Sequence, residues 1–77
     1  MTETRLEGFI REHALKPAHV ARESGYSRQH LLRLRRGQME PTRACIAAIV
    51  SACRRLTQMR VQPEELFDFE ERGRGRP

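Results

Sequence analysis

One stretch decides the fold: residues 17–37, PAHVARESGYSRQHLLRLRRG. Pro17 suits the first turn of a helix, where its missing N–H costs no hydrogen bond. Gly25 supplies a left-handed residue that ends this helix, and Ser27 is a good N-cap for the next one. Gly37 ends the second helix in the same way. The stretch therefore predicts two short helices with a three-residue turn between them, over residues 17–24 and 28–36.

Hydrophobic spacing and helix breakers predict three more helices around this pair. The first covers about residues 3–15, and its buried stripe is expected to contain Leu6, Phe9, Ile10, His13 and Ala14. Pro41 and Thr42 open the longest helix. Its apolar face is expected at the centre of the core: Ala44, Cys45, Ile46, Ala48, Ile49, Ala52, Cys53 and Leu56. A last short helix starts at Pro63. Because no stretch alternates as a strand does, we predict an all-α fold, a compact bundle of about five short helices.

The composition fits one small cytoplasmic domain. We assign residues 3–69 to that domain and residues 70–77 to a flexible Arg/Gly tail. The longest apolar run, residues 44–50, falls far short of the ~20 residues of a membrane span, and no signal-peptide pattern is present. Cys45 and Cys53 lie about 12 Å apart along one predicted helix, too far for a disulfide, and are expected to be buried, reduced thiols.

The charge is basic and unevenly distributed. The net charge is +5, and residues 1–63 hold 12 basic side chains against 5 acidic ones. Residues 64–71 hold five acids and no base, and residues 72–77 add three arginines. A basic body of this kind is typical of proteins that bind polyanions, and we expect a nucleoid-associated location.

The second helix of the pair carries the side chains that suit DNA. At 100° per residue Leu31 and Leu34 face the core, whereas the opposite face holds Gln29, Leu32, Arg33 and Arg36, with Arg28 at the exposed N-terminal end. Arginine binds the guanine edge, glutamine binds the adenine edge, and a leucine can contact the thymine methyl group. Two short helices joined by a glycine-containing turn, the second of them basic, form the helix-turn-helix arrangement. We therefore predict binding to the major groove of double-stranded DNA.

On these residues the chain resembles the lambda-repressor-like (Cro/XRE) helix-turn-helix family. The resemblance covers about residues 6–67 and runs through Val20-Ala21, Gly25-Tyr26-Ser27, Leu31, Leu34, Gly37, Pro41 and the Val61 to Phe67 segment. It implies that the third helix lies in the major groove and that a homodimer binds two half-sites. It further implies that Arg28, Gln29 and Arg33 read bases, and that His30 and Arg36 contact flanking positions or phosphates.

The chain departs from the family pattern at two places. Lys16 and Pro17 stand where the family often has a Ser/Thr and a phosphate-clamping Gln, so we expect Lys16 to contact a phosphate by charge alone. Ile10 and Arg35 stand where the family often has an Arg–Glu ion pair, so we expect that pair to be absent and Arg35 to be free to face phosphate. The full candidate DNA-binding set is Lys16, Ser27, Arg28, Gln29, His30, Leu32, Arg33, Arg35, Arg36 and Arg43.

The sequence thus predicts a sequence-specific transcriptional regulator, a repressor acting as a homodimer. Two alternatives stay open: an antitoxin or small control or excision factor that acts through a protein partner, and a low-specificity architectural DNA-binding protein. No nucleophile–base pairing or glycine-rich phosphate loop indicates an enzyme or a cofactor site. The histidines and cysteines lack the C-x₂-C pairing of a zinc site.

Three features at the turn and the C-terminus have two readings each. Tyr26 is expected to be the hydrophobic plug of the turn, although its hydroxyl could reach a phosphate. Leu66, Phe67 and Phe69, beside Met59 and Val61, could close the core or form a dimer patch, and we expect them to do both. Arg74-Gly75-Arg76-Pro77 resembles the core of a minor-groove AT-hook, but an ordinary basic tail is the favoured interpretation.

Overall fold

The computed structural model describes residues 3–67, and this part of the chain consists of helices and connections without any strand. The predicted all-α bundle of five short helices is therefore confirmed. The helices are α1 (Arg5–Glu12), α2 (Pro17–Ser24), α3 (Arg28–Arg35), α4 (Arg43–Thr57) and α5 (Pro63–Leu66). The calls on Phe69 and on the tail from residue 70 onward lie outside the described residues.

Side-chain caps fix where three of the helices begin. The hydroxyl oxygens of Thr4, Ser27 and Thr42 each accept the backbone N–H three residues later, which leaves one fewer unpaired donor in the first turn of α1, α3 and α4. A proline occupies the first position of α2 and of α5. These signals are local in the sequence, and the predicted starts of α2, α3 and α4 are all confirmed.

Left-handed residues end the first three helices. Gly25 and Gly37 have φ of +84° and +69°, as predicted for the ends of α2 and α3. The prediction that α1 extends to residue 15 is wrong, because Ala14 is itself left-handed, with φ of +54°. The N–H of Leu15 donates to the Ile10 carbonyl at 2.9 Å, so the chain closes α1 in a Schellman turn without a glycine. Ala14 is consequently exposed and does not belong to the buried stripe.

α4 is the central helix of the core. It packs on α2 and α5, while α1 packs on α5 and α3, and α2 packs on α3. Its predicted buried face is confirmed at Cys45, Ile49, Ala52 and Cys53. Ala44 is exposed, contrary to the prediction, and Val50 is buried instead, since α4 is covered by helices on more than one side.

The remaining core comes from the other helices and from the last connection. Both cysteines are free and buried, as expected, and burial raises the pKa of Cys53 to about 11, which keeps that thiol protonated. Val61, Leu66 and Phe67 are buried, so they close the core. No helix within residues 3–67 is long and apolar enough to cross a membrane.

Candidate nucleic-acid interface

α3 presents a basic face to solvent. Leu31 and Leu34 are buried against the other helices, which fixes the rotation of α3 about its axis. As a result the opposite side of the helix is accessible, with Leu32 half-buried. Its exposed side chains are Arg28, Gln29, Arg33 and Arg36. This face contains no carboxylate, and it offers several donors that suit phosphates and base edges.

The turn before α3 is packed rather than open. Tyr26 is half-buried against the core, as expected of a plug, and its ring stacks on that of His30 with centroids 4.7 Å apart. His30 Nε2 also lies 3.8 Å from Cys45 Sγ at the start of α4. Ser27 Oγ accepts the His30 N–H at 3.0 Å. Ser27 and His30 therefore hold the start of α3 in place.

An open groove joins the start of α2 to one side of α3. Lys16, Pro17 and Ala18 line it from α2 and the residue before it, and the α3 side is formed by Arg28, Gln29, Leu32 and Arg35. Five of the ten predicted residues thus share one concave surface. Arg33 and Arg36 are exposed outside this lining, and Arg43 is exposed at the first position of α4.

Basic side chains of the described residues fall into two groups. One group is bonded to carboxylates or to main-chain carbonyls: Arg5 to Glu64, Arg11 to Glu3, Arg35 to Glu7, Arg54 to Val61 and Arg55 to Glu23. The other group makes no ion pair and no side-chain hydrogen bond within residues 3–67: Lys16, Arg22, Arg28, Arg33, Arg36, Arg43 and Arg60. Five of these seven unpaired basic residues belong to the predicted DNA-binding set. Unpaired like charges repel one another, so this surface favours a polyanion.

The expectation that Arg35 is unpaired is wrong. Its Nε donates to Glu7 Oε1 at 2.6 Å and its Nη2 to Glu7 Oε2 at 3.3 Å. Ile10 is buried in the core. Glu7 lies one turn before Ile10 on the same side of α1, so its bond to Arg35 joins α1 to α3. The Arg35 hydrogen bond holds the pKa of Glu7 below its ordinary value.

A second contact ties the same two helices together and was missed at the sequence level. Thr4 Oγ1 donates to the Arg35 carbonyl at 2.5 Å and accepts the Glu7 N–H at 3.1 Å. A Cβ on Gly37 would lie 3.3 Å from Thr4 Cγ2, so the chain after α3 passes close to this threonine. No local sequence signal reveals this contact, because the partners are 31 residues apart.

No protein-family model, curated protein or solved structure matches the chain. No cluster of three or more His, Cys, Asp or Glu side chains within residues 3–67 could hold a metal ion.

Proposed function

We propose that this chain is a sequence-specific double-stranded DNA-binding regulator of the lambda-repressor-like helix-turn-helix type, acting as a homodimeric repressor. α2 and α3 would form the helix-turn-helix, and α3 would enter the major groove. One observation carries the proposal. Among residues 3–67, the exposed face of α3 holds three arginines without an ion pair and a glutamine, with no carboxylate among them, although five other arginines of this range are bonded internally.

The roles follow from where each side chain lies. Arg28 and Gln29 stand at the N-terminal end of α3, where base edges would be nearest, and Leu32 would contact a thymine methyl group. Arg33 follows Gln29 by one turn on the exposed face. Lys16, which shares the groove with Arg28, would neutralise a backbone phosphate.

Phosphate neutralisation would come from the edges of this surface. Arg36 at the end of α3 and Arg43 at the start of α4 are exposed and unpaired within the described range. Each cation that neutralises a phosphate releases condensed counterions, so affinity for DNA falls steeply as salt rises. We expect this term to supply much of the affinity and the base contacts to supply the specificity.

Selection of bound fragments from random duplex DNA by the full chain tests the proposal. The expected result is a consensus of two inverted half-sites about one helical turn apart. Retention of DNA without a consensus would instead identify a low-specificity architectural protein. Retention of no duplex, together with a stoichiometric protein partner in a pull-down, would contradict DNA binding and favour an antitoxin or control factor.

A further inference from the structure

The Glu7–Arg35 pair lies at the edge of the groove between the start of α2 and α3. Arg35 contributes to the groove lining together with Lys16 and Arg28, yet it is also bonded to Glu7 of α1. Glu7 does not line this groove. The arginine is therefore placed between an internal carboxylate and a surface that also carries two unpaired cations.

Glu7 accepts hydrogen bonds from only some of the N–H donors of the Arg35 guanidinium. The pair engages the Nε–H and one N–H of Nη2, whereas a guanidinium carries five N–H donors. Both donors of Nη1 and the second donor of Nη2 make no bond within residues 3–67. The pair is also ordered, since the side chains of Arg35 and Glu7 are only 22% and 30% exposed, and the Arg35 carbonyl is held by Thr4.

We propose that Arg35, Lys16 and Arg28 bind one backbone phosphate of DNA in this groove, and that Glu7 is the residue that positions Arg35 for it. The inference rests on the proposed function, because the phosphate is that of the bound duplex. An acidic residue would then strengthen the binding of a polyanion.

The negative charge of Glu7 repels the phosphate that Arg35 attracts, and the balance depends on the distance from the phosphate to each of the two groups. A phosphate bonded to the free edge of Arg35 would lie about 4 Å from the guanidinium charge and about 7 Å from the carboxylate, so attraction exceeds repulsion nearly twofold. Long arginine side chains lose rotamer freedom when they bind a ligand. The bond to Glu7 already restricts the Arg35 side chain in the free protein, so less conformational entropy is lost when DNA binds.

Two alanine variants of α1 separate positioning from charge. Glu7→Ala and Glu12→Ala each remove one negative charge, but Glu12 is exposed and makes no ion pair within the described residues. Duplex binding by the full chain is measured over a range of salt concentrations. We expect Glu7→Ala to bind about three- to tenfold more weakly with an unchanged salt slope, because Arg35 still neutralises the phosphate but must be ordered when DNA binds. Glu12→Ala should bind at least as tightly as the parent with an unchanged slope.

The Arg35→Ala background shows whether Glu7 acts through Arg35. There, adding Glu7→Ala should no longer weaken binding and should tighten it slightly, because only the repulsion of the carboxylate is removed. A merely structural role for Glu7 would lower the melting temperature, and the effect of Glu7→Ala on binding would then be the same with and without Arg35. If Glu7→Ala is not folded at the assay temperature, Glu7→Gln replaces it, since glutamine keeps the length and one acceptor.

The outcomes distinguish the two proposals. If the parent binds duplex DNA and the Glu7 variant binds as tightly as Glu12→Ala, the positioning role is wrong and the proposed function stands. If the parent chain binds no duplex DNA at low salt, both proposals are overturned.

Discussion

Ser27 Oγ accepts the backbone N–H of His30 at 3.0 Å and so closes the first turn of α3. The His30 ring also stacks on that of Tyr26, so the first turn of α3 packs against the turn that precedes it. We expect Ser27→Ala to lower the free energy of unfolding by about 1 kcal/mol, because the capped N–H loses its partner. Urea denaturation measures this change.

Ser51→Ala is the matched control for the cap. Ser51 is half-buried in the middle of α4, and its hydroxyl accepts only an exposed hydrogen bond from Arg55. Because alanine favours a helix interior, this substitution should change the stability by less than about 0.5 kcal/mol. Equal losses in the two serine variants would contradict the capping role of Ser27.

The left-handed Ala14 is a site where glycine should stabilise the fold. A Cβ at φ of +54° is strained, and glycine adopts this conformation freely. After the larger backbone entropy of glycine in the unfolded chain is subtracted, we expect Ala14→Gly to raise the free energy of unfolding by about 0.5–1 kcal/mol. Ala47→Gly, on the exposed side of α4, should have the opposite sign and cost about 1 kcal/mol. Loss of stability in both variants would show that the left-handed turn is not strained by alanine.

Ser27 and Ala14 show which helix ends could be predicted from the sequence and which could not. Ser27, Gly25 and Gly37 act on the backbone within a few residues, so the bounds of α2 and α3 could be predicted from local patterns. The end of α1 could not, because an alanine occupies the left-handed position and leaves no signal.

Contacts between helices were harder to predict than the helices themselves. The rotation of α3 followed from Leu31 and Leu34, and it correctly separated the exposed arginines from the core. Arg35 was misjudged because its partner Glu7 is 28 residues away on another helix, and a helical wheel of α3 alone does not include it. Pairing of charges across helices is a tertiary property, so counting basic residues overestimates the number of unpaired positive charges at the surface.

The Glu7–Arg35 pair predicts a pH-dependent part of the stability. The Arg35 hydrogen bond lowers the pKa of Glu7 from its ordinary value of 4.5. A carboxyl with a lowered pKa contributes its full stabilisation above the unfolded value, and this is lost as the pH falls through the folded value. The difference in unfolding free energy between the parent and Glu7→Gln should therefore be constant above about pH 6 and shrink below pH 4.5. In an Arg35→Gln background this difference should vary much less with pH, and an unchanged pH trend there would exclude Arg35 as its cause.

Two substitutions, one on the exposed face of α3 outside the groove and one in the groove lining, should affect DNA binding in different ways. Arg33 is exposed on the face of α3 that would meet base edges, so Arg33→Ala should cost about 1–3 kcal/mol on the preferred sequence and relax the preference at one base position. Lys16 lines the groove beside Arg28 and would contact a phosphate. Lys16→Ala should therefore weaken binding evenly across sequences and reduce the salt slope by about 1.

Arg60→Ala controls for the loss of one positive charge. Arg60 is exposed and unpaired within residues 3–67, but it lies in the connection between α4 and α5 and not in the groove. Titration of the three variants against a set of single-base variants of the selected site separates the roles, because only a base contact changes the order of preference among sequences. If Arg33→Ala keeps the parent's order of preference, α3 does not read that base through Arg33. A changed order for Lys16→Ala would contradict its phosphate role, and an effect of Arg60→Ala as large as the other two would mean that net charge alone governs binding.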